Sequence, residues 1–340
     1  MLKTVRDACE VHPSTLDYQV AGGVESLAQM IDSDDGGQAF FEKSYLTQGM
    51  EELLREGLLR LSGQTDQALF ELSQAMGGGK THLMCALGLL AKYPLQRSHV
   101  LPSDVIARLD DQPARVAVFD GRDSPDHYLW GELAKQLGAE EQMRPFWKDG
   151  PKAPGKEHWK AIIGDRPTLI LFDELPPYFL EARTVPVGQG SMVDVLTRAL
   201  SNLFVAALEL PRCCVVLANL SDSYRDQVKE VKKLVADVQR EASRQASKIT
   251  PVSLEGSEIY SILRKRLFSK LPTDEEIDEV AEAYAAQVKL AEDSGYLAAR
   301  SLEQIADEIR ATYPFHPAFK HLVALFKDNP DFRETRGLLQ

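Results

Sequence analysis

The sequence predicts an α/β chain, with a three-layer αβα core built on a parallel sheet and an all-helical C-terminal segment. Three observations predict it. Short apolar runs at 68–72 (ALFEL), 114–121 (ARVAVFDG), 169–172 (LILF) and 212–220 (RCCVVLANL) alternate with stretches of helical spacing, as βαβ units do. The runs are apolar throughout rather than every second residue, which suits strands buried on both faces. From residue 258 onward the pattern is helical only.

Residues 1–37 alternate polar and apolar positions irregularly and read as an N-terminal arm with a loop at 32–37 (DSDDGG). Between 39 and 61 the spacing of Phe40, Phe41, Tyr45, Met50, Leu53, Leu54, Leu58 and Leu59 fits an amphipathic helix, with Thr47 as N-cap of its second half. Arm and helix form a first region, 1–62, ahead of a core at 63–255 and a helical lid at 256–340.

The stretch 67–93 (QALFELSQAMGGGKTHLMCALGLLAKY) reads as strand, glycine turn and helix. Gly77, Gly78 and Gly79 allow the backbone to approach a ligand closely and to aim several N–H groups into one concavity. The helix that follows points its positive end at the same spot. That combination suits a polyphosphate. Lys80 would reach the terminal phosphates, and the Thr81 hydroxyl would ligate Mg²⁺. His82, next on the same turn, is expected beside the nucleotide as a packing group rather than a catalytic one. The phosphate-loop template G-x-x-x-x-G-K-[ST] has Gln74 in place of its first glycine. Gln74 is expected at the strand-to-loop turn, away from the phosphates.

The run ending FDG at 119–121 reads as a second strand closed by an Asp-Gly turn, and 128–137 as a helix. RPFWKDGPKAP at 144–154 breaks the pattern as a surface loop. Trp147 and Trp159 near it are expected as partly buried anchors. TLILFDELPPY at 168–178 delivers Asp173 and Glu174 to the C-terminal end of a buried strand, the edge where open α/β sheets bind ligands. Asp173 would hold the Mg²⁺ shell and Glu174 would polarise the attacking water.

A helix over 191–210 precedes the strand 212–220, which ends at the same edge with Asn219, placed to hydrogen-bond the attacking water or the γ-phosphate. The segment 222–248 reads as a long charged helix with one apolar stripe, and Arg240 and Arg244 share a face near its end. A short strand is expected at 249–252, then helices at 258–268, at 274–292 behind a Thr273/Glu276 capping box, and after Ser301. His316 lies between prolines and reads as structural.

Composition narrows the function classes. The chain has 340 residues, 44% hydrophobic and 26% charged, with a formal net charge of −12. That balance disfavours bulk electrostatic binding of nucleic acid and leaves DNA as an indirect partner through a local basic groove. There is no apolar run of membrane-spanning length and no secretory signal pattern, so a cytoplasmic protein with no membrane partner is expected. Cys9, Cys85, Cys213 and Cys214 lack metal-ligand spacing and read as reduced core thiols.

Four motifs in order, GGGKTH at 77–82, LILFDELPPY at 169–178, YPFHP at 313–317 and FRETRG at 332–337, carry a resemblance. The chain resembles a family of large AAA+-like P-loop ATPases found with restriction-modification and phage-defence loci, similar to the ATPase of phage growth limitation and related BREX systems. The resemblance implies a P-loop core with a helical lid, and an N-terminal portion of a longer protein. It implies Asn219 at the sensor 1 position and Arg336, or Arg333, at the sensor 2 position contacting the γ-phosphate. It also implies Arg240 or Arg244 as a finger that reaches a neighbour's nucleotide in a ring or dimer, and protein partners within a defence complex.

The leading expectation is therefore Mg²⁺-dependent hydrolysis of ATP that drives remodelling. The rivals are a nucleotide-bound switch or scaffold with little turnover, and a P-loop small-molecule kinase. The adjacent Asp173–Glu174 pair suits activation of water better than activation of a substrate hydroxyl, and no short arginine-rich lid of a nucleotide kinase is visible.

Overall fold

The structure, a computed structural model, describes residues 2–13, 26–73, 79–123, 125–218, 246–252, 258–293 and 301–319. The chain divides into two compact units. One comprises Glu25–Phe41 and Gln48–Pro251, the other Met1–Val24, Glu42–Thr47 and Val252–Gln340.

The first unit is built on a five-stranded parallel sheet flanked by helices. Its strands are β1 (Leu69–Leu72), β2 (Arg115–Asp120), β3 (Thr168–Asp173), β4 (Cys213–Ala218) and β5 (Ser247–Ile249), in the order β2-β3-β4-β1-β5. The helices are α1 (Leu27–Ile31), α2 (Gln48–Leu61), α3 (Lys80–Lys92), α4 (Tyr128–Gln136), α5 (Lys156–Ile163), α6 (Leu175–Arg183) and α7 (Met192–Glu209). The register aligns Asp120 with Asp173 and Leu72 with both Ala218 and Ile249, so the strands finish along one edge. Connections that leave β1 on one side and return to β5 on the other put the reversal of strand order at β1, the position where such sheets leave a crevice.

Strands β1, β3 and β4 are buried at every position, which is why their sequences are almost wholly apolar. Ala117, Phe119, Ile170, Phe172, Val215 and Leu217 pack on one face against α4, α5, α6 and α7. Their alternates Leu169, Leu171, Cys214 and Val216 are buried too, so both faces are covered. Cys213 and Cys214 accordingly point to opposite faces. All four cysteines are free and buried. Burial pushes the Cys213 thiol up to about 12 and raises that of Cys214 as well, which keeps both protonated and inert.

At the edge where the strands begin, three arginines satisfy carbonyls at helix ends. Arg60 of α2, 2% exposed, donates to Cys213 O at 3.0 Å, Thr65 O at 3.0 Å, Ala207 O at 2.8 Å and Leu210 O at 2.7 Å, closing the end of α7. Arg97 donates to Leu90 O in the last turn of α3 at 2.8 Å, and to Asp110 O at 2.6 Å. Arg115, the first residue of β2, donates to Leu137 O and Ile162 O beyond α4 and within α5, and to Thr168 Oγ1 at 2.9 Å. The last carbonyls of a helix lack intrahelical donors and carry partial negative charge, so a guanidinium meets both needs. Burial lowers all three guanidinium pKa values.

Several local expectations shift. Residues 39–61 form two helices, Gln38–Lys43 and Gln48–Leu61, with Thr47 directly before the second. Trp159 is fully buried, its Nε1 donating to Ala199 O at 3.0 Å, and Trp147 packs against His127, so both are anchors. Ser191 opens α7 with a capping box to Asp194. The expected helix over 222–248 lies mostly outside the described residues. Its last two positions belong to β5, which begins earlier than the strand expected at 249–252 because pairing with Phe70 to Leu72 sets its register.

The second unit contains α8 (Glu258–Leu267), α9 (Asp274–Asp293) and α10 (Leu302–Thr312). The Thr273/Glu276 capping box forms as the sequence indicates, and Ser301 opens α10 as expected, with a second box to Gln304. The segment is not all helical, however. Phe268–Lys270 is a strand that pairs antiparallel with Glu10–Val11 from the N-terminal arm. Backbone partners so far away along the chain overrule a locally helical pattern. His316 is held structurally: its Nε2 lies 2.9 Å from Tyr284 Oη, and its Nδ1 accepts from the Ala318 N–H at 3.1 Å. Among the described residues no helix is long and apolar enough to cross a membrane.

Candidate functional site

Of the residues singled out from the sequence, Lys80, Thr81, Asp173 and Glu174 meet at the edge where the strands end. Lys80 is the first residue of α3, whose 13 residues begin directly after Gly79. Gly79 adopts φ 87°, a left-handed conformation that glycine takes at little cost. Thr81, on the same first turn, donates from Oγ1 to Asp173 Oδ2 at 2.6 Å. The helix after β1 is thereby tied to the end of β3, across the intervening β4.

Asp173 is 5% exposed, and its second oxygen, Oδ1, accepts from the Glu174 N–H at 3.0 Å. Burial raises its pKa, and the nearby Asp120 carboxylate adds to that. The Thr81 hydroxyl, the Glu174 N–H and the Lys80 ammonium act in the opposite direction. A buried carboxylate held by two donors with an ammonium nearby is an acceptor oxygen pair of the kind that could hold a cation.

Glu174 follows in the left-handed region, at φ 43° and ψ 40°, and caps α6 ahead of Leu175, Pro176 and Pro177. Its side chain is 33% exposed and forms an ion pair with Arg122. Burial raises its pKa most, Arg122 opposes that, and Asp173 and Asp120 add to it. Together the two acids present a buried and a half-buried carboxylate side by side.

The turn after β2 belongs to the same site. Gly121 N–H donates to Asp173 O at 2.9 Å, and a Cβ at Gly121 would lie 2.1 Å from Glu174 O. Asp120 Oδ1 accepts from the Arg122 N–H at 2.9 Å. Asp120, Gly121 and Arg122 are additions to the residues read from sequence. The signal was there in FDGRD at 119–123, a strand ending on an acid, but it reads locally as turn chemistry. Nearby, Tyr178 of α6 accepts through its hydroxyl from the Leu129 N–H at 3.2 Å, joining α6 to the start of α4.

His82 lies with its ring centroid 4.4 Å from that of Phe40, the packing role expected of it. Gln74, Gly77, Gly78, Asn219, Arg240, Arg244, Arg333 and Arg336 lie outside the described residues. Among the described residues no group of three or more His, Cys, Asp and Glu is arranged to hold a metal. Thr81 and Asp173 together offer two oxygen ligands, and a site that uses Mg²⁺ with phosphates and waters needs little more from the protein.

Residues 5–105 match the family described as the DUF499 N-terminal domain, a match that includes β1, Lys80 and Thr81 and ends before β2. No curated protein matches the chain.

Proposed function

We propose that this chain is a P-loop ATPase of AAA+-like type that binds ATP with Mg²⁺ and hydrolyses the β–γ phosphoanhydride by attack of water. The hydrogen bond from Thr81 to Asp173 carries the reading, because it joins the first turn of α3 to the acid at the end of β3, across the intervening β4. It is the arrangement expected if one cation were shared by a hydroxyl, a carboxylate and the nucleotide phosphates. The fit is supported by the donor set: both groups are oxygens, Asp173 is buried, and Lys80 opens the helix. When bound, Mg²⁺ would neutralise charge on the phosphates.

The protein's own part is positioning and proton handling. Lys80 and the N-terminus of α3 attract and orient the phosphate chain. Thr81 and Asp173 would hold the cation. Glu174 orients the water and accepts its proton, with no covalent intermediate formed on the protein. Asn219, Arg336, and Arg240 or Arg244 are assigned by resemblance as sensor and finger groups, and self-association follows from the finger. The four-motif resemblance also supports a cytoplasmic remodelling role in a phage-defence or restriction-type complex.

The test is phosphate release together with binding of a fluorescent ATP analogue. Glu174→Gln is expected to keep binding and lower turnover by about 10²- to 10⁴-fold, the usual contribution of a general base. Lys80→Ala is expected to lose binding. A Glu174→Gln variant with parental phosphate release would refute the mechanism, and a Lys80→Ala variant that binds normally would refute the phosphate loop.

A further inference from the structure

We propose that the outer edge of β2 is a pairing surface for β2 of a second copy of this chain, and that the Gln136 side chain closes it by standing in for that strand. The pairing is independent of the hydrolytic reading.

β2 is the long edge of the sheet. It lies outermost in the order β2-β3-β4-β1-β5, and its six residues pair with β3 in unbroken register from Arg115–Thr168 to Asp120–Asp173. The other edge strand, β5, has three residues. Arg115 and Gly121 donate their N–H groups toward β3, to Pro167 O and Asp173 O at 2.9 Å each. Main-chain groups alternate in direction along a strand, so Val116, Val118 and Asp120 turn theirs outward.

An edge of this length is a template for another strand, and proteins blunt such edges with a lysine, a proline, a bulge or a charge set along it. β2, with the sequence RVAVFD, has none of the first three. Its two charged groups are engaged elsewhere. The Arg115 guanidinium donates to Leu137 O, Ile162 O and Thr168 Oγ1, and the Asp120 carboxylate accepts from the Arg122 N–H.

What meets the edge is Gln136, the last residue of α4. Its Nε2 donates to Val118 O at 2.8 Å, and its Oε1 accepts from the Val118 N–H at 2.8 Å. A side-chain amide has the donor and acceptor of a peptide group, and this one makes both bonds that a paired residue would make. Val118 is the middle of the three outward residues. In an antiparallel pair, opposed residues at the hydrogen-bonded positions exchange both bonds. Two copies of β2 about a twofold axis at Val118 would therefore pair Val118 with Val118 and Val116 with Asp120. That register is self-complementary, so one strand supplies both sides, and a second copy is the occupant the geometry favours. Gln136 fills its central pair.

The experiment measures self-association of the full chain by sedimentation velocity over a concentration series, and hydrogen exchange of the β2 amides by mass spectrometry in dilute protein. Gln136→Ala is expected to strengthen self-association by about 10- to 100-fold, the worth of two ordinary hydrogen bonds that no longer have to be broken before pairing. It should also speed exchange at Val118 by about tenfold. Alanine is a good helix former at this exposed position, so the fold is not at stake. Adding Val118→Pro, or separately Val116→Pro, removes an outward N–H at a place where a sheet edge tolerates proline, and either should return Gln136→Ala to parental association. Parental association or parental β2 exchange in Gln136→Ala would overturn the proposal. Association that persists in both proline double variants would overturn it too, because another surface would then be responsible.

Discussion

Substituting either end of the Thr81–Asp173 hydrogen bond should change stability with opposite sign. Thr81→Val keeps the shape of the side chain and removes a donor to a carboxylate that is 5% exposed. A hydrogen bond to a charged group is worth about 1.5–3 kcal/mol, and the buried oxygen left behind has no water to turn to, so a loss of about 2 kcal/mol is expected. Asp173→Asn keeps an oxygen for the Glu174 N–H at 3.0 Å and an amide to face Thr81, and it removes a charge that burial and Asp120 disfavour. A gain of about 1 kcal/mol is expected, in the range found when a functional group is exchanged for a better-fitting one. The measurement is urea unfolding of the nucleotide-free protein at pH 7. The sign of the pH dependence follows from the raised Asp173 pKa. The folded carboxyl holds its proton more tightly than the unfolded one, so in the window above the ordinary aspartate value unfolding releases protons and the parent gains stability as pH falls. Asp173→Asn lacks this component, so its advantage should shrink on acidification from pH 7. Destabilisation by Asp173→Asn, or an advantage that grows as pH falls, would refute the electrostatic account.

Arg60→Met should destabilise the first unit by about 3–5 kcal/mol, because five carbonyls lose a charged donor at a side chain that is 2% exposed, and chemical denaturation would detect it. Gly79→Ala meets no atom of the described residues within 4 Å of its new methyl, so the cost expected is that of the left-handed conformation, about 1–2 kcal/mol. It should weaken ATP-analogue binding in titration more than it lowers the unfolding midpoint. Trp159→Ala should cost about 3–5 kcal/mol in the same denaturation assay, since it empties a fully buried indole site and removes the indole N–H bond to Ala199 O.

The buried strands were legible because in a parallel sheet every position of a central strand is apolar. β3 and β4 therefore announce themselves over 168–173 and 213–218. Thr81 and Asp173 were legible as chemistry, since a hydroxyl after Gly-Lys and an acid after an apolar run each have a use at a sheet edge. The Arg122–Glu174 pair was not. It depends on β2 lying beside β3 with Asp120 level with Asp173, a register that no local pattern encodes. The strand at Phe268–Lys270 was missed for a related reason: its partner, Glu10–Val11, lies at the other end of the chain. Arg60 was hidden differently. It occupies a position in α2 between buried leucines, where an arginine reads as a surface interruption until the end of α7 is placed beside it.

The three arginines at the edge where the strands begin have a consequence for how this fold can vary. They tie helix ends to the sheet or to adjoining loops through main-chain oxygens, which every amino acid possesses, so the tie is indifferent to which side chains stand at the far end of each strand. Loops that leave the opposite edge can lengthen, shorten or exchange residues without loosening it. A scaffold fastened at its foot in this way is suited to regrafting: new recognition loops could be mounted above the same five strands while the frame beneath stays as it is.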